Sequence, residues 1–358
     1  METNLNELKT FISGLPKAEL HVHLGGTVSP QMEFKLARRN HVNLGIQSPA
    51  ELQHNYQPSL KNFLRACHVG MQVIETGKDL YDITWDFLKH LAKQNVKHVE
   101  ISLNPQDYTH RGISFDDVFQ NVHQALLNGQ KLLGINSALI LSLVRSCSES
   151  IAFKTLEEAR PYHQLGWIAG IGLDDDEYRN PPIKFRRVFK QARIEGYHLA
   201  VHADVDQVNS VEHIAQAIGD INVDRIGHGV NIVNDAGLMN LAIQKQTGFT
   251  VCPISNQYCA GDMKVNAIKT LLKHGALVSI NSDDPAYMGN HYINDNYLQI
   301  AQKAGLYLDQ LVQIAKNSFL TAWIPAYAKH WYLKQIDKYV NNFRSSSINR
   351  AVPSELIL

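Results

Sequence analysis

The sequence predicts an α/β fold, a (β/α)8 barrel of the TIM type, on three observations. First, short apolar runs recur along the chain, each ending in polar residues, at 20–24, 96–104, 135–144, 167–174, 198–205, 225–230, 249–255 and 277–283. Second, helical spacing fills the longer segments between them. Phe115, Val118, Val122 and Leu126 share one helix face, and Phe185, Val188, Phe189 and Ala192 another. Strands alternating with helices give a parallel sheet with right-handed crossovers, and eight such units close into a barrel. Third, residues suited to metal binding and proton transfer stand at the ends of several runs, where a barrel gathers its chemistry.

The first run contains Glu19-Leu20-His21-Val22-His23-Leu24. Side chains alternate along a strand, so His21 and His23 point the same way. The region 31–86 carries no strand signal and reads as several helices, the last over about 79–91. It forms a helical insertion, about 31–90, after strand one, where a lid or pocket wall would sit. No low-complexity linker divides the chain, so residues 1–358 are expected to form a single domain. Strand five ends with His202 and Asp204. Strand six carries His228 between two glycines, and strand eight ends in Asn281-Ser282-Asp283-Asp284-Pro285.

His21, His23, His202 and Asp283 make a three-histidine, one-carboxylate set. That donor mix suits Zn²⁺, one ion per chain, with water in the open position. Bound Zn²⁺ lowers the pKa of its water to about 7, which supplies hydroxide at neutral pH. His228 is placed to orient or deprotonate that water, and Asp284 to hold the substrate. Taken singly, each residue has a plainer reading: His202 as a hydrogen-bonded core histidine, Asp283 and Asp284 as caps of the next helix. Their convergence at four strand ends favours the metal site. His90, His98, His198, His213 and His274 fit no such pattern and are expected on loops or facing solvent, and His110 and Arg111 on an exposed loop.

Composition narrows the partner. The chain has 358 residues, 44% of them apolar, enough for a large core. Lys+Arg and Asp+Glu balance at 34 each, so no basic face for nucleic acid is implied. The first ten residues are polar, and no run approaches the ~18 apolar residues of a membrane span. A cytoplasmic protein acting on a small molecule is expected, with neither nucleic acid nor membrane as partner. Cys67, Cys147, Cys252 and Cys259 form no CxxC pair and read as free thiols of a reducing compartment.

Several stretches resemble the adenosine/adenine deaminase family of the amidohydrolase superfamily. Pro16-Lys17-Ala18-Glu19-Leu20-His21-Val22-His23-Leu24 resembles its opening metal motif, and Arg225-Ile226-Gly227-His228-Gly229 its catalytic-histidine motif. Cys252-Pro253-Ile254-Ser255-Asn256 resembles its seventh-strand signature, and Ser279-Ile280-Asn281-Ser282-Asp283-Asp284-Pro285 its eighth-strand metal and substrate motif. Asn104-Pro105-Gln106 with His110-Arg111-Gly112, and Gly170-Ile171-Gly172-Leu173-Asp174 with Pro181-Pro182 and Lys184-Phe185, are similar to the branch acting on free adenine. The resemblance implies a zinc-dependent hydrolase that replaces the amino group of adenine, an N6-substituted adenine or a related amino-heterocycle with a carbonyl and releases ammonia. It implies His21, His23, His202 and Asp283 as ligands, with Asp283 also in the catalytic set. His228 is the implied base, and Asp284 the partner of a ring nitrogen. Gly172 and Asp175 join Asp284 as expected substrate contacts.

The departures are specific. The family's fifth-strand motif is His-Ala-Gly-Glu, whose Glu protonates the purine ring; here it reads His202-Ala203-Asp204-Val205. Gly25 stands where the family has an acidic residue, and Asp175 where it has a small one. If strand five stays regular through Asp204, that carboxylate shares the face of His202 and can serve as the replacement acid, the alternative being that it orients a neighbouring group or caps the loop; Asp206 follows if the strand continues. The alternatives are a metal-binding pseudoenzyme of the same family, or another hydrolase of the superfamily.

Overall fold

The computed structural model describes residues 5–54, 70–203 and 205–351. Eight strands form one sheet in sequence order, every neighbouring pair parallel. They are β1 (Lys17–His23), β2 (Val96–Leu103), β3 (Asn136–Val144), β4 (Ile168–Asp174), β5 (His198–Ala203), β6 (Arg225–His228), β7 (Gly248–Val251) and β8 (Leu277–Ile280). The expected runs and the observed strands agree one for one.

Closure between β8 and β1 happens at the C-terminal mouth. Asp283 N donates to His21 O (2.9 Å) and His23 N to Asp283 O (3.1 Å), around an isolated bridge between Val22 and Asp283. Lower down, the Asn281 side-chain oxygen accepts from Leu20 N at 2.9 Å in place of a main-chain carbonyl. The backbone that seals the barrel thus belongs to the residues expected to hold the metal.

Four strands stop two or more residues short of expectation: β5 at Ala203, β6 at His228, β7 at Val251 and β8 at Ile280. β7 stops at Val251, because Pro253 cannot donate to a ladder and instead opens the helix Pro253–Ala260. β5 stops at Ala203, so Asp206 does not continue the face of His202; it lies exposed in the following loop. Asp204 lies outside the described residues.

The outer helices pack as their periodicity predicts. Phe115–Leu133 buries Val118, Phe119, Val122 and Leu126, with Ser114 capping its start and Gly134 (φ 68°) its end. Phe185, Val188, Phe189 and Ala192 are all buried. At roughly 1.5–3 kcal/mol per large buried side chain, such faces hold the helices to the barrel. Between β1 and β2 stand helices Pro30–Arg39, Pro49–His54 and Gly77–Lys93, the last begun by a reciprocal Thr76–Asp79 cap. Residues 55–69 of the expected insertion lie outside the described residues. No described helix is long and apolar enough to cross a membrane.

Candidate metal centre and active site

Each imidazole at the mouth has its Nδ1 committed. His21 Nδ1 lies 2.9 Å from Thr250 O, His202 Nδ1 lies 3.1 Å from Leu173 O, and His23 Nδ1 lies 3.2 Å from Asp174 Oδ2. A carbonyl or carboxylate only accepts, so these Nδ1 atoms donate and the Nε2 lone pairs are left for the interior. There the lone pairs converge. His23 Nε2 is 3.1 Å from His202 Nε2, and Asp283 Oδ1 is 3.3 Å from His21 Nε2 and 3.4 Å from His23 Nε2. His21 Nε2 is buried without a hydrogen-bond partner.

Converging acceptors repel unless a cation stands between them. Tetrahedral bonds of about 2.0–2.1 Å to nitrogen and oxygen give ligand–ligand edges of about 3.3–3.4 Å, and the measured separations match. The residues therefore fit a metal ion. Two overlapping groups meet at Asp283: His21, His202, His228 and Asp283, and His23, Asp283 and Asp284, with the donor atoms of each group within 4.8 Å of one another. In the chain alone, burial works against a charged His23, but the Asp284, Asp174 and Asp283 carboxylates outweigh it and hold its pKa well above the usual value. Burial, with the neighbouring His21 and His23, pushes His202 well below it.

His228 stands beside this set. Its Nδ1 bonds Asn256 Oδ1 at 2.9 Å, and its Nε2 faces Asp283 Oδ2, the second carboxylate oxygen, at 3.6 Å. Burial lowers its pKa to about 4. His228 (φ 56°) and Asp283 (φ 64°) both adopt the left-handed backbone that costs a non-glycine residue roughly 1–3 kcal/mol. That conformation at two strand ends marks a site where aim outweighs local stability. Gly227 makes the room: a Cβ there would lie 2.9 Å from the His21 ring and 3.1 Å from that of His202.

Asp284 is buried next to Asp283, and burial followed by repulsion from Asp283 raises its pKa well above the carboxylate range. Gly172 lies buried on β4. Asp175 is exposed at the rim (φ 76°), where its carboxylate accepts from Ser146 Oγ at 2.5 Å; it does not join the histidine cluster. Val205 is buried, its carbonyl accepting from Asn231 at 3.1 Å.

Sequence reasoning missed Asp174, Thr250 and Asn256, which orient the ring histidines. Asp174 ends β4 as the other site residues end their strands, so the strand-end rule would have found it. Two expectations about histidines are corrected. His98 and His213 are buried, not solvent-facing, each paired with a glutamate: His98 with Glu100 (3.0 Å) and His213 with Glu177 (2.6 Å). Arg111 is half-buried, donating to Met71 O at 2.6 Å, while His110 is exposed as expected. Cys147, Cys252 and Cys259 are free thiols; Cys67 lies outside the described residues.

The family model for adenosine deaminase matches residues 16–339. The chain belongs to the adenosine deaminase family. It is 39% identical over 342 residues to an adenine deaminase of Zymomonas mobilis, covering 95% of this chain and all of that one. It is 40% identical over 341 residues to an uncharacterized deaminase of Schizosaccharomyces pombe, with the same coverage. The crystal structure of adenine deaminase from Arthrobacter aurescens superposes with a TM-score of 0.86 at 32% identity, over 91% of this chain and 99% of that one. Family and architecture together make the protein a hydrolytic deaminase of purines.

Proposed function

We propose that the protein is a zinc-dependent adenine deaminase, with His21, His23, His202 and Asp283 holding the ion. The observation that carries this reading is the meeting of three inward Nε2 atoms with Asp283 Oδ1 at tetrahedral-edge spacing. The adenine deaminases among its relatives support the substrate class. A bound zinc ion would lower the pKa of a water molecule to about 7.

The protein's own groups supply the rest. His228, unprotonated and fixed by Asn256, takes a proton from the water as it adds to the ring carbon bearing the amino group. Asp284, buried beside Asp283, is the hydrogen-bond partner of a ring nitrogen. The product is a carbonyl, with ammonia released. Valine at position 205 has no proton to give, so Asp204, two residues past His202, is the group assigned to protonate the ring. Asp204→Asn should lower kcat by ~10²-fold or more with little change in zinc content. Val205→Glu should increase adenine deamination.

The pocket wall supports a free base over its riboside. Gly25, where the family has an acidic residue, offers no carboxylate to a sugar. Comparable kcat/KM for adenine and adenosine would contradict this preference. Free thiols suit a reducing compartment, and the cytoplasm is the proposed location. Val205 favours one competing reading, a pseudoenzyme. Ammonia release from a panel of aminopurines on zinc-loaded protein separates the two, since a pseudoenzyme binds metal and releases none.

A further inference from the structure

Behind the metal histidines lies a buried group of charges that the chemistry above does not use. Arg145 follows β3, Glu177 sits in the loop after β4, and His213 lies in the helix Ser210–Ala215; all three are buried. Arg145 Nη1 is 2.9 Å from Glu177 Oε1, and His213 Nδ1 is 2.6 Å from Glu177 Oε2. The Asn209 amide nitrogen lies 2.9 Å from His213 Nε2. An ionised carboxylate only accepts, so His213 Nδ1 donates to Glu177. Asn209 precedes the helix at the cap position, yet its side chain caps no backbone N–H and serves His213 instead.

The network reaches the metal strand. Arg145 Nη2 donates to His202 O at 3.2 Å, and Lys184 Nζ donates to Arg145 O at 2.8 Å. The ring of His202 is held by Leu173 O, four residues before Glu177. Segment 173–177 therefore holds His202 twice, its ring directly and its carbonyl through Arg145. The same segment holds the His23 ring through Asp174, although β4 supplies no ligand itself. A buried ion pair is poorly explained by stability, since well-packed apolar side chains of the same volume often serve as well.

We propose that the Glu177 carboxylate, held between Arg145 and His213, is a positioning group that fixes the orientation of His202 at the metal and of the chain leaving β5. This rests on the reading of His202 as a metal ligand. The test uses the full chain loaded with Co²⁺, whose visible band reports ligand geometry, in His213→Phe, His213→Gln, exposed Asn209→Ala and His202→Ala. His213→Phe should keep the fold by circular dichroism, bind metal ~10–100-fold more weakly, shift the band and lower kcat with little change in KM. His213→Gln retains an N–H donor for Glu177 and should recover most of the loss. Asn209→Ala should shift the band in the same direction by less, which serves if His213→Phe does not fold. Wild-type affinity and band in His213→Phe and Asn209→Ala, beside a loss in His202→Ala, would overturn this proposal alone. Wild-type binding in His202→Ala would overturn the ligand assignment and this proposal with it.

Discussion

Toward the N-terminal end of the barrel, Glu100 of β2 meets Arg225 of β6 and His98, and Arg225 stacks on Trp323 with its guanidinium 3.7 Å from the ring centre. At the C-terminal end, four imidazoles and two adjacent aspartates crowd into one space, and the Nε2 atoms of His23 and His202 face each other at 3.1 Å. Both clusters are buried. At the lower end the charges are matched: burial alone would raise the Glu100 pKa, but Arg225 and His98 outweigh it and hold it at about 2. At the mouth the charges are mismatched, and neighbouring groups move in opposite directions: Asp283 far down, drawn by His21 and His23 against its burial, and Asp284 far up. A buried cluster whose charges match is costly to break by removing one partner. One whose acceptors face each other is waiting for a ligand.

The contrast predicts opposite outcomes for substitution at the two ends. The largest effect belongs to His21→Ala, which should reduce bound metal from about one ion per chain to near zero and take activity below detection, while circular dichroism shows the fold retained. Full metal occupancy, measured by elemental analysis, would break the assignment. His228→Ala should keep the metal and lose ~10²–10⁴-fold in kcat, because this histidine works on the water; a wild-type rate would remove it from the mechanism.

At the other end, Glu100→Gln should cost ~3–5 kcal/mol of stability by leaving Arg225 buried without its charge partner, with metal content and kcat of the folded protein unchanged. The pH dependence has a definite sign. The folded pKa of Glu100 is about 2 against an ordinary 4.5, so its contribution is present above about pH 4.5 and is lost as pH falls toward 2. Glu100→Gln should flatten that acid limb in a denaturation series. The smallest effect is Ser114→Ala, on a helix remote from both clusters: about 1 kcal/mol for the lost cap, with catalysis unmoved. Loss of metal in either of these variants would erase the distinction between the ends.

Much of this was legible in the residues, for physical reasons. Strands of a barrel are buried on both faces and read as apolar runs, so all eight stood out, and a polar residue ending such a run has few structural reasons to be there. His21, His23, His202, His228, Asp283 and Asp284 were singled out in that way, and they lie together at the mouth. The orienting partners were harder to see. Thr250 contributes its carbonyl, which no sequence displays, and Asn256 enters from a helix where a strand was expected to continue. His213 escaped because its burial depends on a glutamate brought from elsewhere in the fold, Glu177, 36 residues before it; His98 has its partner Glu100 two residues away on the same strand, and its burial could have been read from β2 itself. Asp175, singled out because the family carries a small residue there, has a left-handed backbone and accepts from Ser146, features the sequence did not display.

The most direct measurement is ammonia release from adenine by the purified chain, before chelation, after chelation and after return of zinc. The account predicts conversion of adenine to its carbonyl product with about one zinc per chain, loss of turnover as the metal leaves, and recovery when zinc is restored. Turnover that survives removal of the metal would contradict it. So would a fully zinc-loaded protein that releases no ammonia from adenine or any related aminopurine.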